Sequence, residues 1–256
     1  MNHVSASSAS SATLASAPAD AITVAAATPR LAPYRFIHKG LRVLMFSTLQ
    51  RAGALDASQG EDRACIVHEV ERLLATCADH LAHENQFFHE ALRARAPRAV
   101  LPFQDDHLGH LASIDALRLQ LQRLRDAPLD QAPALAYALF LRLSVFVGEN
   151  LEHMAEEEST LTQALWAHFS DDELAAIEGA LHATIAPAEM AFYMRWMGQG
   201  LNASEAVALL SGLREQAPGE VFVAMASEVQ AVMPAPRWAQ VARGLGLPPV
   251  PGLVAC

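Results

Sequence analysis

Apolar residues recur along this chain with the three-to-four-residue period of α-helices, and strand-like alternation is almost absent. A first helix is expected from about Tyr34 to Arg51, ending near Gly53. A second should start after Ser58-Gln59-Gly60 and run to about Arg95, where Pro97 stops it. A third is expected from about Phe103 to Arg125, before Asp126-Ala127-Pro128, and a fourth from near Pro133 to about His168. Four long helices joined by short polar turns predict an all-α fold, an antiparallel up-and-down four-helix bundle over residues 33–169. Ser170-Asp171-Asp172-Glu173 reads as a new helix start with a cap and an acidic first turn. Residues 170–256 then read as an α-helical C-terminal extension of shorter helices, docked on the bundle or serving as a homodimer surface. Residues 1–32, rich in Ala and Ser, read as a disordered leader.

The polar residues that share the apolar rows carry the chemistry. Positions seven apart nearly share a helix face. On the second helix Ile66, Leu73, His80 and Phe87 form one row, and Val70, Cys77, Glu84 and Ala91 the next. The fourth helix repeats this with Leu139, Phe146 and His153 beside Leu143, Asn150 and Glu157. The third offers His107, Ile114 and Leu121 beside His110, Leu117 and Leu124, and the first offers His38 and Met45 flanked by Leu41. Each helix thus sends at least one His inward, and two send a His followed four residues later by a Glu. His68, His83, His89, His168 and His182 fall off these rows or outside the bundle and read as solvent-facing or structural; Glu156 and Glu158 read as solvated.

Taken singly, a His on an apolar face is usually a packing residue, and a His–Glu pair four apart is worth a few tenths of a kcal/mol at a surface. Together they imply two carboxylates and several imidazoles in an apolar core, which costs several kcal/mol per unpaired charge. A pair of bound metal ions removes that cost. Nitrogen and oxygen donors without cysteine suit iron or manganese, with zinc a third option. The candidate ligands are His38, His80, Glu84, His107, His110, His153 and Glu157, with Asn150 behind them.

Composition narrows the rest. The net charge of −10, with 18 Lys+Arg, argues against nucleic acid. Three cysteines, Cys65, Cys77 and Cys256, match no zinc spacing and suggest a reducing compartment, with Cys65 and Cys77 as helix-packing residues. No apolar run looks long enough to cross a bilayer and no secretory signal is evident, so the expected location is the cytoplasm.

The segments His38-Lys-Gly-Leu-Arg, His80-Leu-Ala-His-Glu84, Asp-Asp-His107-Leu and His153-Met-Ala-Glu-Glu157-Glu together resemble the hemerythrin-like family, the HHE cation-binding domain, over roughly residues 34–168. The resemblance implies a non-haem di-iron site. His38 and His80 would serve one iron, His107 and His153 the other, and Glu84 and Glu157 would bridge them. The oxygen carriers of that family have His-x-x-x-His on helix three, whereas position 111 is Leu here, and His110 is the residue that could replace the missing nitrogen. The expected role is binding or sensing of O2 or a related small oxidant, in a pocket shielded by Phe87, Leu111 and Phe146. A di-iron oxidase, peroxidase or nitric-oxide-handling enzyme is the first alternative, and a metal-free helical interaction module the second.

Overall fold

A computed structural model describes residues 30–248. The expected leader therefore lies outside the described residues except for residues 30–32, as does Cys256. The described residues are all-helical with no strand. In chain order they form α1 (Arg35–Gly53), α2 (Gly60–Glu84), a π-helical turn (Asn85–His89), α3 (Glu90–Arg95), α4 (Pro97–Arg125), α5 (Ala132–Glu156), a second π-helical turn (Glu157–Leu161) and α6 (Thr162–His168). Five shorter helices follow: α7 (Asp171–His182), α8 (Pro187–Gly200), α9 (Ala203–Gln216), α10 (Gly219–Val232) and α11 (Ala235–Gly244).

The boundaries follow local chemistry. Pro97 sits in the first turn of α4, where its missing N–H costs nothing, so α4 begins six residues before the expected Phe103. Ser170 accepts from the Glu173 backbone N–H while the Glu173 side chain accepts from the Ser170 N–H, and this capping box opens α7 as the sequence suggested. Asn202 and Glu205 build the same device at α9.

Helix α1 packs on α2 and α5, and α4 packs on the same two. The apolar rows meet between them in one core that includes Leu41, Met45, Leu73, Cys77, Ile114, Leu121, Leu139 and Phe146. A second apolar cluster of Tyr34, Phe88, Leu92, Phe103, Leu161 and Leu165 closes the end reached by α3 and α6. Between the two lies the polar centre described below. Cys65 departs from expectation: it is exposed, donating to Glu69 rather than packing. Arg30 holds the start of the described chain by donating to the Trp166 and Phe169 carbonyls at 2.7 and 2.8 Å.

The run Ala132–His168 is long and apolar enough to cross a membrane by length and composition. That differs from the sequence reading, because Tyr137, Leu141 and Val145 add apolar surface on the outer face of α5. The same run carries Asn150, His153 and Glu157 inward.

Helices α8–α11 build their own core around Met194, Met197, Leu210, Val229, Trp238 and Val241. They meet the rest through α8, which lies against α1. Two glycines permit the close approach. A Cβ on Gly40 would lie 3.0 Å from the Met197 backbone nitrogen, and one on Gly200 would lie 2.7 Å from the Lys39 carbonyl oxygen. Glu205 accepts from Lys39 Nζ at 2.7 Å and from Arg35 Nη2 at 2.9 Å, tying α9 to the same helix. Gly200→Val is therefore expected to push α8 off α1 and to cost about 1–3 kcal/mol, the usual range for overpacking. Urea denaturation measures this, and an unchanged midpoint would show that the contact is not close-packed.

Candidate metal centre

Two short stretches of backbone position the polar centre. Up to Glu84 and Glu157 the helices keep ordinary α phase, so His80 and Glu84, and likewise His153 and Glu157, stand one above the other and face the core. Immediately beyond Glu84, and from Glu157 itself, the helix widens into a π turn. In an α-helix residues five apart point about 140° away from each other. The i→i+5 pattern of a π turn brings them onto one face. Around the first turn this carries His89 to the side of Glu84. Around the second, the Thr162 hydroxyl donates to the Glu157 carbonyl at 2.7 Å.

The side chains converge on two points. At the first, His38 Nε2 and His80 Nε2 lie 3.1 Å apart. Glu84 Oε1 is 3.0 Å from His80 Nε2 and 3.5 Å from His38 Nε2, and Glu157 Oε2 is 3.4 Å from His38 Nε2. At the second, His107 Nε2 and His153 Nε2 lie 3.0 Å apart. Glu157 Oε1 is 3.2 Å from His153 Nε2 and 3.5 Å from His107 Nε2, and Glu84 Oε2 is 3.6 Å from His107 Nε2. Each carboxylate thus gives one oxygen to each histidine pair. Glu84 is 2% exposed and Glu157 0%, yet none of their four oxygens has a hydrogen-bond partner.

Orphaned buried oxygens facing imidazole nitrogens at such spacings could hold a metal ion. Bonds of about 2.1 Å at right angles put neighbouring donors about 3.0 Å apart, and tetrahedral angles put them about 3.4 Å apart. The observed edges fall on and around these values. His38, His80, Glu84 and Glu157 form one group that could hold a metal ion, and Glu84, His107, His153 and Glu157 form the other.

The outer nitrogens are oriented as metal-ligating imidazoles usually are. His38 Nδ1 donates to Glu158 Oε1 at 3.1 Å, and Arg42 holds the same oxygen at 2.5 Å. His107 Nδ1 donates to Asn85 Oδ1 at 3.0 Å, and His153 Nδ1 lies 3.4 Å from Asp106 Oδ2. Tyr34 lies over His38 with ring centroids 5.3 Å apart, and its buried hydroxyl has no partner.

Four expectations need correction. His89 is not solvent-facing: it is 0% exposed, its ring centroid is 4.7 Å from that of His107, and its Nε2 stands 4.0 Å from Glu157 Oε1. Glu158 is not merely solvated, since it orients His38. His110 is buried but joins neither group. Its Nδ1 faces the Asn150 side chain at 3.4 Å, and Asn150 Nδ2 donates to the Phe146 carbonyl. Leu111 is 38% exposed and shields nothing, while Phe88 rather than Phe87 is buried beside Tyr34, because the π turn shifts the phase by one residue. Phe146 is buried as expected, with its ring 6.4 Å from that of His110. His68, His168 and His182 are exposed and His83 is half-buried.

A groove of about 440 Å³ between α4 and α5 opens beside the second point, and His110 and His153 line it. Its rim carries Asp105, Asp106, Glu149, Glu152 and Glu156, so it presents negative charge to whatever approaches.

The protein's own charges act on one another here. Burial and the neighbouring Glu84 push Glu157 up, but His107 and His153 outweigh them and hold it at about 2. Burial likewise opposes ionisation of Glu84, yet His80 and His38 hold it well below the usual carboxylate range. Burial lowers His38, and Glu158 and Glu84 overcome this to carry it up to about 9. Burial, reinforced by neighbouring histidines, lowers His89 and His110 to about 4.

Comparison with protein-family profiles, curated proteins and solved structures finds no match to this chain.

A pH dependence follows for the metal-free protein. His89 and His110 take up protons in the unfolded chain below about 6.5 but in the folded one only near 4, so stability falls as pH drops through that window. His38 behaves oppositely: its contribution is complete below about 6.5 and is lost as pH rises through about 9. Melting temperatures of metal-stripped protein between pH 4 and 9 should pass through a maximum near neutrality. A steady rise to pH 9 would contradict these assignments.

Proposed function

We propose that this chain is a non-haem di-iron protein of the hemerythrin-like kind that binds or senses O2 or a related small oxidant. In this reading α1, α2 with α3, α4, and α5 with α6 are the four members of an antiparallel up-and-down bundle, and α7–α11 extend it. His38 and His80 hold one iron and His107 and His153 the other, while Glu84 and Glu157 bridge them. The observation that carries the reading is the division of each buried carboxylate, one oxygen towards each histidine pair, with all four oxygens otherwise unpartnered.

A bound iron pair would supply reversible electron transfer to the small ligand; the chain supplies the donors, their orientation and a largely dry surrounding. Glu158, Asn85 and Asp106 fix ring orientation from behind. The acidic rim of the groove supports a neutral ligand such as O2 over anionic oxidants. Donors drawn from nitrogen and oxygen alone favour iron or manganese over metals that select thiolate, and zinc fits the donors less distinctively.

A second reading, a di-iron oxidase or peroxidase, draws on Tyr34. Its buried, unpartnered phenol beside His38 is an oxidisable side chain at the centre itself. Turnover of peroxide by iron-loaded protein, lost in Tyr34→Phe, would favour the enzyme over the binding protein.

The primary test adds Fe(II) anaerobically and then admits air. Two irons per chain and the charge-transfer absorption of a coupled ferric pair are expected; no iron uptake would end the metal reading and leave a helical interaction module. Glu84→Ala and Glu157→Ala should each fail to hold two irons by elemental analysis, and full two-iron occupancy in either would contradict bridging. His110→Ala should leave the stoichiometry at two, because its ring faces Asn150 and the groove.

A further inference from the structure

The two candidate metal positions are unequal, and the residue that makes them so is His89. The first is met by two imidazoles, from His38 and His80, and the second by His107 and His153. His89 stands beside the second alone. It is wholly buried, and its Nε2 has no hydrogen-bond partner. Leaving a buried imidazole nitrogen unpartnered is unfavourable, so it needs a reason to face a polar centre.

Asn85 supplies the reason. Its Oδ1 is 3.2 Å from His89 Nδ1 and 3.0 Å from His107 Nδ1. A carbonyl oxygen only accepts, so both rings carry their proton on Nδ1 and present a bare lone pair at Nε2. One amide therefore sets His89 and His107 in the same tautomer, the one a metal ligand needs. The His89 ring stacks on that of His107, with centroids 4.7 Å apart and planes 23° from parallel, whereas His107–His153 and His38–His80, whose Nε2 atoms converge, meet edge-on at 66° and 80°. The separation of His89 Nε2 from Glu157 Oε1 is 4.0 Å. Two donors at about 2.1 Å from one ion can be at most about 4.2 Å apart, so this value suits donors on opposite sides of it.

We propose that His89 is a third imidazole ligand of the metal position between His107 and His153, brought there by the π turn Asn85–His89. This rests on the metal reading above. It gives the second ion three nitrogens and two carboxylate oxygens, and the first ion two of each. It also assigns to the π turn after α2 the nitrogen that the spacing on α4 offered from His110.

The test uses the full chain with Zn(II) as the probe and 15N-labelled histidine. An imidazole nitrogen that coordinates zinc leaves the resonance range of the free imine nitrogen. Five shifted Nε2 signals, from His38, His80, His89, His107 and His153, are expected on saturation. Four, with His89 unshifted, would overturn the inference while leaving the metal centre in place; none would remove the underlying reading instead. A Co(II) titration of His89→Ala supplies the second arm. The first-position ion should bind as in the unmodified protein, which also shows that the variant folds. Affinity for the other should fall about tenfold or more, and imidazole added to solution should restore it. Two ions bound with unchanged affinity and unchanged visible absorption would overturn the assignment. If the variant does not fold, the zinc experiment on the unmodified chain decides alone.

Discussion

Two carboxylates, Glu84 and Glu157, sit in the middle of an apolar core with no hydrogen bond to any of their oxygens, and the neighbouring structure is arranged around that fact. Left alone, such groups would cost several kcal/mol each. Around them stands a shell of imidazoles from α1, α2, α4 and α5, with His89 from the first π turn. The shell works only if those elements hold their register, because each carboxylate faces histidines on several helices at once. The apolar clusters on either side of the centre provide that register, one running towards Leu124 and Leu139 and the other towards Phe103 and Leu165.

The same constraint explains the outer partners. A neutral imidazole can turn either nitrogen inward, and only one choice leaves a lone pair facing the carboxylates. Glu158 makes that choice for His38, and Asn85 makes it for His107 and His89 together. Arg42, 25% exposed, balances the charge of Glu158 at the rim and joins the centre to the surface of α1. Because α8 lies against α1 at Gly40 and Gly200, helices α8–α11 buttress the helix that carries His38.

Much of this could be read from spacing. His80 with Glu84, and His153 with Glu157, share rows with Leu73, Cys77, Leu139 and Phe146, and all of these lie where an unbroken α-helix puts them. What spacing misses lies just past those glutamates. A seven-residue row assumes a constant turn, and the turn changes at Asn85 and again at Glu157; such rows therefore put His89, Phe88 and Glu158 on the wrong faces. His110 departs for another reason. Three residues from His107 leave it rotated by about 60° and most of a turn along the axis, which is enough to meet Asn150 instead of the carboxylates. Tyr34 escapes because an orphan phenol has no spacing rule. Its one sequence cue is its position four residues before His38, one turn along the same helix face.

The π turns have a consequence for how such a site is gained and lost. A π turn is an α-helix holding one residue more than its pitch allows. Were the turn Asn85–His89 to relax to an ordinary α-helix with no residue lost, every side chain beyond would swing about 100° around the axis. The histidine now beside Glu157 would face elsewhere, although every amino acid in the chain would remain. The number of imidazoles at this centre is thus set by the pitch of one turn as much as by composition. Two proteins of this architecture could carry the same histidines in the same order and differ, through the pitch of a single turn, in the side chains they bring together.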